Sequence, residues 1–133
     1  MNDAEFVAAF DECTRPKTEF THEGHLRLAW LTLRATPNFD AALDLFRARL
    51  QRYAASIGKP GVYHETLTVL WLRLVAHARA QSPAAQDSFD EFLARNVWLR
   101  DRANPAKHYS AERLESITAR RSFVEADLQA LPE

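Results

Sequence analysis

Glycine is scarce in this chain, with 3 in 133 residues, and proline occurs 6 times. A strand-and-turn architecture draws heavily on both residues for its tight connections, so the composition argues against one. Cysteine occurs once, at Cys13, which excludes an intramolecular disulfide and fits a reducing compartment. No sign of charge is in excess: 17 basic residues face 18 acidic ones, for a formal net charge of −1. Binding to phosphate backbones needs a concentrated surplus of Lys and Arg, so no nucleic-acid partner is expected. Long apolar runs are missing too. Arg27, Arg34 and Arg73 interrupt the most hydrophobic stretches, and no membrane partner is expected. Asp3, Glu5, Asp11 and Glu12 give the first 20 residues no basic start and no apolar leader, which points to a cytoplasmic protein.

Ala, Leu, Arg and Glu dominate what remains, and all four favour helix. The sequence predicts an all-α fold: a single helical domain over residues 1–133, a bundle of three to four main helices with an irregular C-terminal wrap. Phe6, Val7 and Phe10 give residues 3–12 a one-turn apolar spacing, and Arg15-Pro16-Lys17 interrupts it. Thr21 is an N-cap for a helix over 22–35, with Leu26, Ala29, Trp30 and Leu33 inside and Pro37 beyond its end. A third helix starts at Asn38 or Asp40 and runs to Ser56. It carries a stripe of Leu43, Phe46, Leu50, Tyr53 and Ala54, and Gly58, Pro60 and Gly61 break it. A fourth spans about 62–81 with Leu67, Leu70, Trp71, Leu74 and Val75, and Ser82-Pro83 closes it. It is apolar on most sides and should be the most buried. Residues 87–95 read as a further helix packing Phe89, Phe92 and Leu93. Asn96 to Lys107 reads as irregular, because Asn104-Pro105 is a turn pair. Ser110 is an N-cap, and 117–133 reads as short helical turns.

Two histidine clusters open the second and fourth of these helices. The first is Phe20-Thr21-His22-Glu23-Gly24-His25 and the second is Tyr63-His64-Glu65-Thr66. His22 and His25, three apart, share a helix face. His64 stands one turn before Leu67 and two before Trp71, on the expected buried side. Short connections at 34–40 and 56–62 favour antiparallel neighbours. The second and fourth helices would then run parallel and bring both clusters to one end of the bundle.

Three chemistries fit such a cluster. Neutral imidazoles with a carboxylate are ligands for zinc, iron or manganese, and His22, His25, His64 and Glu65 (or Glu23) supply the donors. The pattern lacks the repeated Glu-x-x-His of di-iron bundles and the His-Glu-x-x-His of zinc proteases. Alternatively, helix N-termini with Arg27 nearby favour a small anionic ligand, with His64 and Glu65 (or Tyr63) as a catalytic acid–base pair. The bland reading is a non-catalytic structural or protein-interaction module whose histidines form a hydrogen-bond network. The leading expectation is a His-rich pocket that binds a transition metal or a small molecule. Elsewhere, His77 reads as a partner for a helix C-terminus, His108 as solvent-facing, Cys13 as a packing residue and Trp98 as a cover over an opening.

The motifs Phe20-Thr21-His22-x-x-His25-Leu26-Arg27-x-Ala29-Trp30 and Tyr63-His64-Glu65-Thr66 resemble those of a group of small bacterial helical proteins of unknown function. The stretches His108-Tyr109-Ser110-x-x-x-Leu114 and Ala119-Arg120-Arg121-x-Phe123-Val124 resemble the same group. The resemblance covers most of the chain. It implies that the two clusters belong to one recurring design, and it implies no particular activity.

Overall fold

The computed structural model describes residues 2–14, 20–81 and 88–132. Among these the chain is all-α, with eight α-helices and no strand. Among the described residues, no helix is long and apolar enough to cross a membrane. Arg15-Pro16-Lys17, Ser82-Pro83 and Asp87 lie outside the described residues. The chain forms two compact units, Met1–His64 and Glu65–Glu133.

The first unit holds α1 (Asp3–Asp11), α2 (His22–Ala35) and α3 (Phe39–Ser56). Each starts on a side-chain cap that satisfies an amide the helix leaves unpaired. Asn2 and Glu5 form a reciprocal capping box on α1. Thr21 Oγ1 accepts from Gly24 N–H at 3.2 Å, and Asn38 Oδ1 accepts from Ala41 N–H at 2.8 Å. The end of α3 is a Schellman closure: Lys59 N–H reaches Ala54 O and Gly58 N–H reaches Ala55 O. That closure needs a left-handed residue, and Gly58 supplies it at φ 72°.

Contacts at the ends set the helix directions. Phe10, late in α1, meets Phe20 just before α2 and Tyr53 late in α3. The three helices therefore run up, down and up. Phe6, Phe10, Leu26, Leu28, Ala29, Trp30, Phe46 and Tyr53 are buried on these helices. Leu43 and Leu50 of the expected stripe are only half-buried. Arg49 ties all three helices, donating to the Asp11 carboxylate at 3.0 Å and to Thr32 Oγ1 at 2.8 Å.

The second unit is built differently. Its one long helix is α4 (Glu65–Gln81), followed by α5 (Phe89–Arg95), α6 (Pro105–His108), α7 (Ala111–Leu114) and α8 (Ile117–Arg121). A 3-10 turn spans Val97–Arg100. α4 is buried along Thr66, Val69, Leu70, Leu72, Leu74 and Val75, whereas Leu67 and Trp71 are half-buried. Residues 122–132 have no regular structure and return against α4, α6 and α7. The short helical turns expected over 117–133 are thus confined to α8, and the rest is the irregular C-terminal segment.

The segment from Asn96 to Lys107, expected to be irregular, is instead a continuous coil of short turns. Leu99, Asp101, Asn104, Ala106 and Lys107 each donate a backbone bond to the residue three before. Asn104, 2% exposed, stitches the coil together by donating from Nδ2 to Trp98 O and Asp101 O, both at 2.8 Å. The Asn-Pro pair starts α6 here, because proline fits the first helical turn where its missing N–H is not needed.

Candidate functional site

In the first histidine cluster Phe20, Thr21, Gly24 and His25 build the entrance of α2. Thr21 is the cap. His25 Nδ1 lies 3.0 Å from Thr21 O, a carbonyl that can only accept, so Nδ1 is the donor. The His25 ring stacks on Phe20, with centroids 3.8 Å apart and planes 21° apart. Phe20 precedes the cap and His25 is the fourth helical residue, so the pair occupies the positions of a hydrophobic staple. Phe20 also packs on Phe10 at 4.7 Å and edge-on to Tyr53 at 5.0 Å. The staple therefore fastens the start of α2 to the ends of α1 and α3. Gly24 makes room for it: a Cβ there would stand 3.3 Å from Phe20 Cδ1. His22, the first residue of α2, and Arg27 are half-buried, and Arg27 is paired with Asp3 at 2.8 Å and lies over the Phe6 ring.

His64 is not on a helix. A 3-10 turn over Pro60–Val62 folds onto the end of α3, Tyr63 is extended, and α4 begins at Glu65. The start of α4 expected near residue 62 is thus displaced, because Pro60 opens a tighter turn of its own. His64 closes the first unit as a link residue, 8% exposed, and its register against Leu67 and Trp71 does not apply. Glu65, in the first turn of α4, is equally buried at 8% exposed. A carboxylate at that position is favoured by the helix dipole.

Among the described residues, no group of three or more His, Cys, Asp or Glu side chains stands where it could hold a metal ion. The set His22, His25, His64 and Glu65 forms no such group.

His108 departs from expectation. It is buried, 6% exposed, not solvent-facing. Its Nδ1 lies 2.8 Å from Gln129 O, and its own carbonyl accepts from Leu128 N–H at 2.9 Å. Neighbouring groups hold the same C-terminal segment. Tyr109 donates its hydroxyl to Val124 O at 2.5 Å, and Arg113 Nε donates to Glu125 O at 2.6 Å. Asp127 accepts from Ser110 Oγ at 2.6 Å and Ser110 N–H at 2.9 Å. Burial pushes the Tyr109 phenol above its ordinary 10.0, reinforced by the negative charge of Glu125 and opposed by Arg73 and Arg113. The Ser110 bonds hold the Asp127 carboxyl below the ordinary 3.8. Thr66, fully buried on α4, shares its hydroxyl hydrogen between Ala119 O and Ser122 O and accepts from Val124 N–H.

Sequence reasoning missed the roles of Gly24, Thr66 and His108. For Gly24 a signal was available, because glycine inside a helix costs roughly 1 kcal/mol relative to alanine and so asks for a packing reason. Cys13 is half-buried at φ 56°, and Trp98 is exposed on the Val97–Arg100 turn. No known protein family, characterised protein or solved structure matches the chain.

Proposed function

We propose that this chain is a non-catalytic interaction module whose histidines hold its fold together. The observation that carries the reading is the staple. The cap, the glycine and the second histidine of Phe20-Thr21-His22-Glu23-Gly24-His25 all serve the entrance of α2, together with Phe20, which gives these four residues a structural part. His108 supports it from the second unit, where the same Nδ1-to-carbonyl bond fastens the C-terminal segment.

A ring that acts as a staple is replaceable by another ring. His25→Ala should cost about 1–2 kcal/mol in urea melts, from one hydrogen bond and one ring contact. His25→Phe should recover most of that loss. Leu70→Ala, in the fully buried part of α4, is the control at about 2–5 kcal/mol.

One observation favours a second reading, a ligand site for a transition metal or a small anionic molecule. His64 and Glu65 are consecutive, titratable and nine-tenths buried, a combination common at functional sites. On this reading His64 and Glu65 act as an acid–base pair or join His22 and His25 as ligands. Calorimetric titration of zinc, iron(II) or manganese into chelator-stripped, untagged protein separates the two. Weak or no binding, with His25→Phe as stable as wild type, supports the module. Near-stoichiometric binding that falls at least tenfold in both His64→Ala and His25→Phe would overturn it.

A further inference from the structure

We infer that residues 122–132 of the second unit are the built-in occupant of a peptide seat. In their place the seat takes a non-helical segment of another protein, with an aromatic residue, an acidic one four positions on and an apolar one four further. This assigns a partner class to the interaction-module reading and rests on it.

A tail that belongs to a core is anchored by its apolar side chains. Here only Leu131 is buried among residues 123–132, and Glu125, Asp127, Leu128, Gln129 and Ala130 are exposed. The main chain holds the tail instead. Val124 N–H donates to Thr66 Oγ1, Val124 O accepts from the Tyr109 hydroxyl, and Glu125 O accepts from Arg113 Nε. Leu128 N–H donates to His108 O, and Gln129 O accepts from His108 Nδ1. Side chains enter at three points, each four residues from the last. The Arg73 guanidinium lies over the Phe123 ring, 5.0 Å from its centre. The Asp127 carboxylate accepts from both Ser110 donors, and Leu131 is buried. Main-chain bonds for affinity, with a few side-chain positions for specificity, are how proteins hold peptides.

The seat is costly to leave empty. Thr66, His108 and Tyr109 are buried, and lifting the tail takes a hydrogen-bond partner from each. Equivalent main chain from another segment restores those bonds. Charge is arranged to match. Of the charges that bear on the Tyr109 hydroxyl, Arg73 and Arg113 belong to the seat, and Glu125 and Asp127 belong to the tail. The tail is also readily exchanged, because it is terminal and poor in buried apolar contacts. Exchange with a second copy returns only the same bonds and costs association entropy. A foreign segment whose aromatic and apolar residues fit the seat better than Phe123 and Leu131 gains over the tail.

The test removes the tail without touching the seat. Val124→Pro with Leu128→Pro deletes the two N–H groups that the seat holds. A fluorescein-labelled peptide of residues 122–132, followed by anisotropy, should bind this variant at least about tenfold more tightly than wild type, whose tethered tail competes at a roughly millimolar effective concentration. The same peptide with both prolines should not bind. Peptides with Phe123→Ala or Asp127→Lys should bind several-fold more weakly. Native-state amide exchange of wild type needs no variant. It should show Val124 and Leu128 exchanging through an opening smaller than the global unfolding that frees buried Leu72. Three outcomes would overturn the seat: no binding to the variant, equal binding of the proline peptide, or exchange of Val124 and Leu128 only with global unfolding. A wild-type dimer on size-exclusion chromatography that the two prolines abolish would overturn it too, because the occupant would then be a second copy. None of these readouts depends on His25 or on a metal. Their failure beside an unchanged His25→Phe melt removes the seat and leaves the module reading standing.

Discussion

The two units solve the same problem by different means. Met1–His64 is three capped helices closed on an apolar core, with four rings (Phe10, Phe20, His25 and Tyr53) locking one end. Glu65–Glu133 has one long helix and a series of elements no longer than 7 residues, which side-chain-to-backbone bonds tie together. Short helices are marginal by themselves, because nucleation is costly and few bonds follow it. The second unit compensates with buried polar side chains that reach across long stretches of sequence. Thr66 bonds a carbonyl 53 residues away, and His108 one 21 residues away.

If the first unit depends on ring packing, removing one ring at its centre should be the most damaging change. Phe10 is 1% exposed, stacks on Tyr53 and packs at a tilt against Phe20. Phe10→Ala should cost about 3–5 kcal/mol in urea melts, from lost burial plus the cavity left behind. A cost below about 1 kcal/mol would mean that the aromatic cluster is not what closes that end.

The second unit should be broken by a change that removes almost no volume. Thr66→Val keeps the shape and deletes the hydroxyl, leaving two carbonyls and the Val124 N–H without their partner. Unsatisfied buried groups make this cost about 1–3 kcal/mol, far above what a methyl-for-hydroxyl exchange gives on a surface. Amide exchange at Val124 should speed up in parallel. A neutral result would assign the C-terminal segment's order to apolar contacts and erase the contrast between the units.

The contrast also explains what was legible in the sequence. The bounds of α2, the Thr21, Asn38 and Ser110 caps and the Gly58 break depend on residues within one or two turns of each other, and local patterns report them. The apolar period placed Leu26, Ala29, Trp30 and Phe46 in the core. It failed at Leu67 and Trp71, because α4 is apolar around most of its circumference and no stripe identifies its innermost side. The burial of His108 was not legible, since Gln129 and Leu128, which hydrogen-bond to it, are distant in sequence and carry no periodic signal. The histidine motif was legible as a unit but not as a staple. Composition marks imidazoles as ligands, whereas only the geometry shows one stacked on Phe20.

The smallest expected effect is electrostatic and lies at the edge of the second unit. Asp127 takes two hydrogen bonds from Ser110, and these hold its carboxyl below the ordinary 3.8 in the folded chain. A depressed folded value means that the ionised form is the one folding favours. Its contribution is therefore fully present above the unfolded value and is lost as pH falls through the folded one. The window for the loss lies below pH 3.8. Asp127 is solvent-exposed and water screens the interaction, so Asp127→Asn should barely alter stability at neutral pH. What it should change is the slope: urea midpoints of the variant should decline less steeply than wild type as the pH is lowered below that value. Parallel acid limbs in the two proteins would show that the Ser110–Asp127 bond holds the chain end in place without linking its fold to protons.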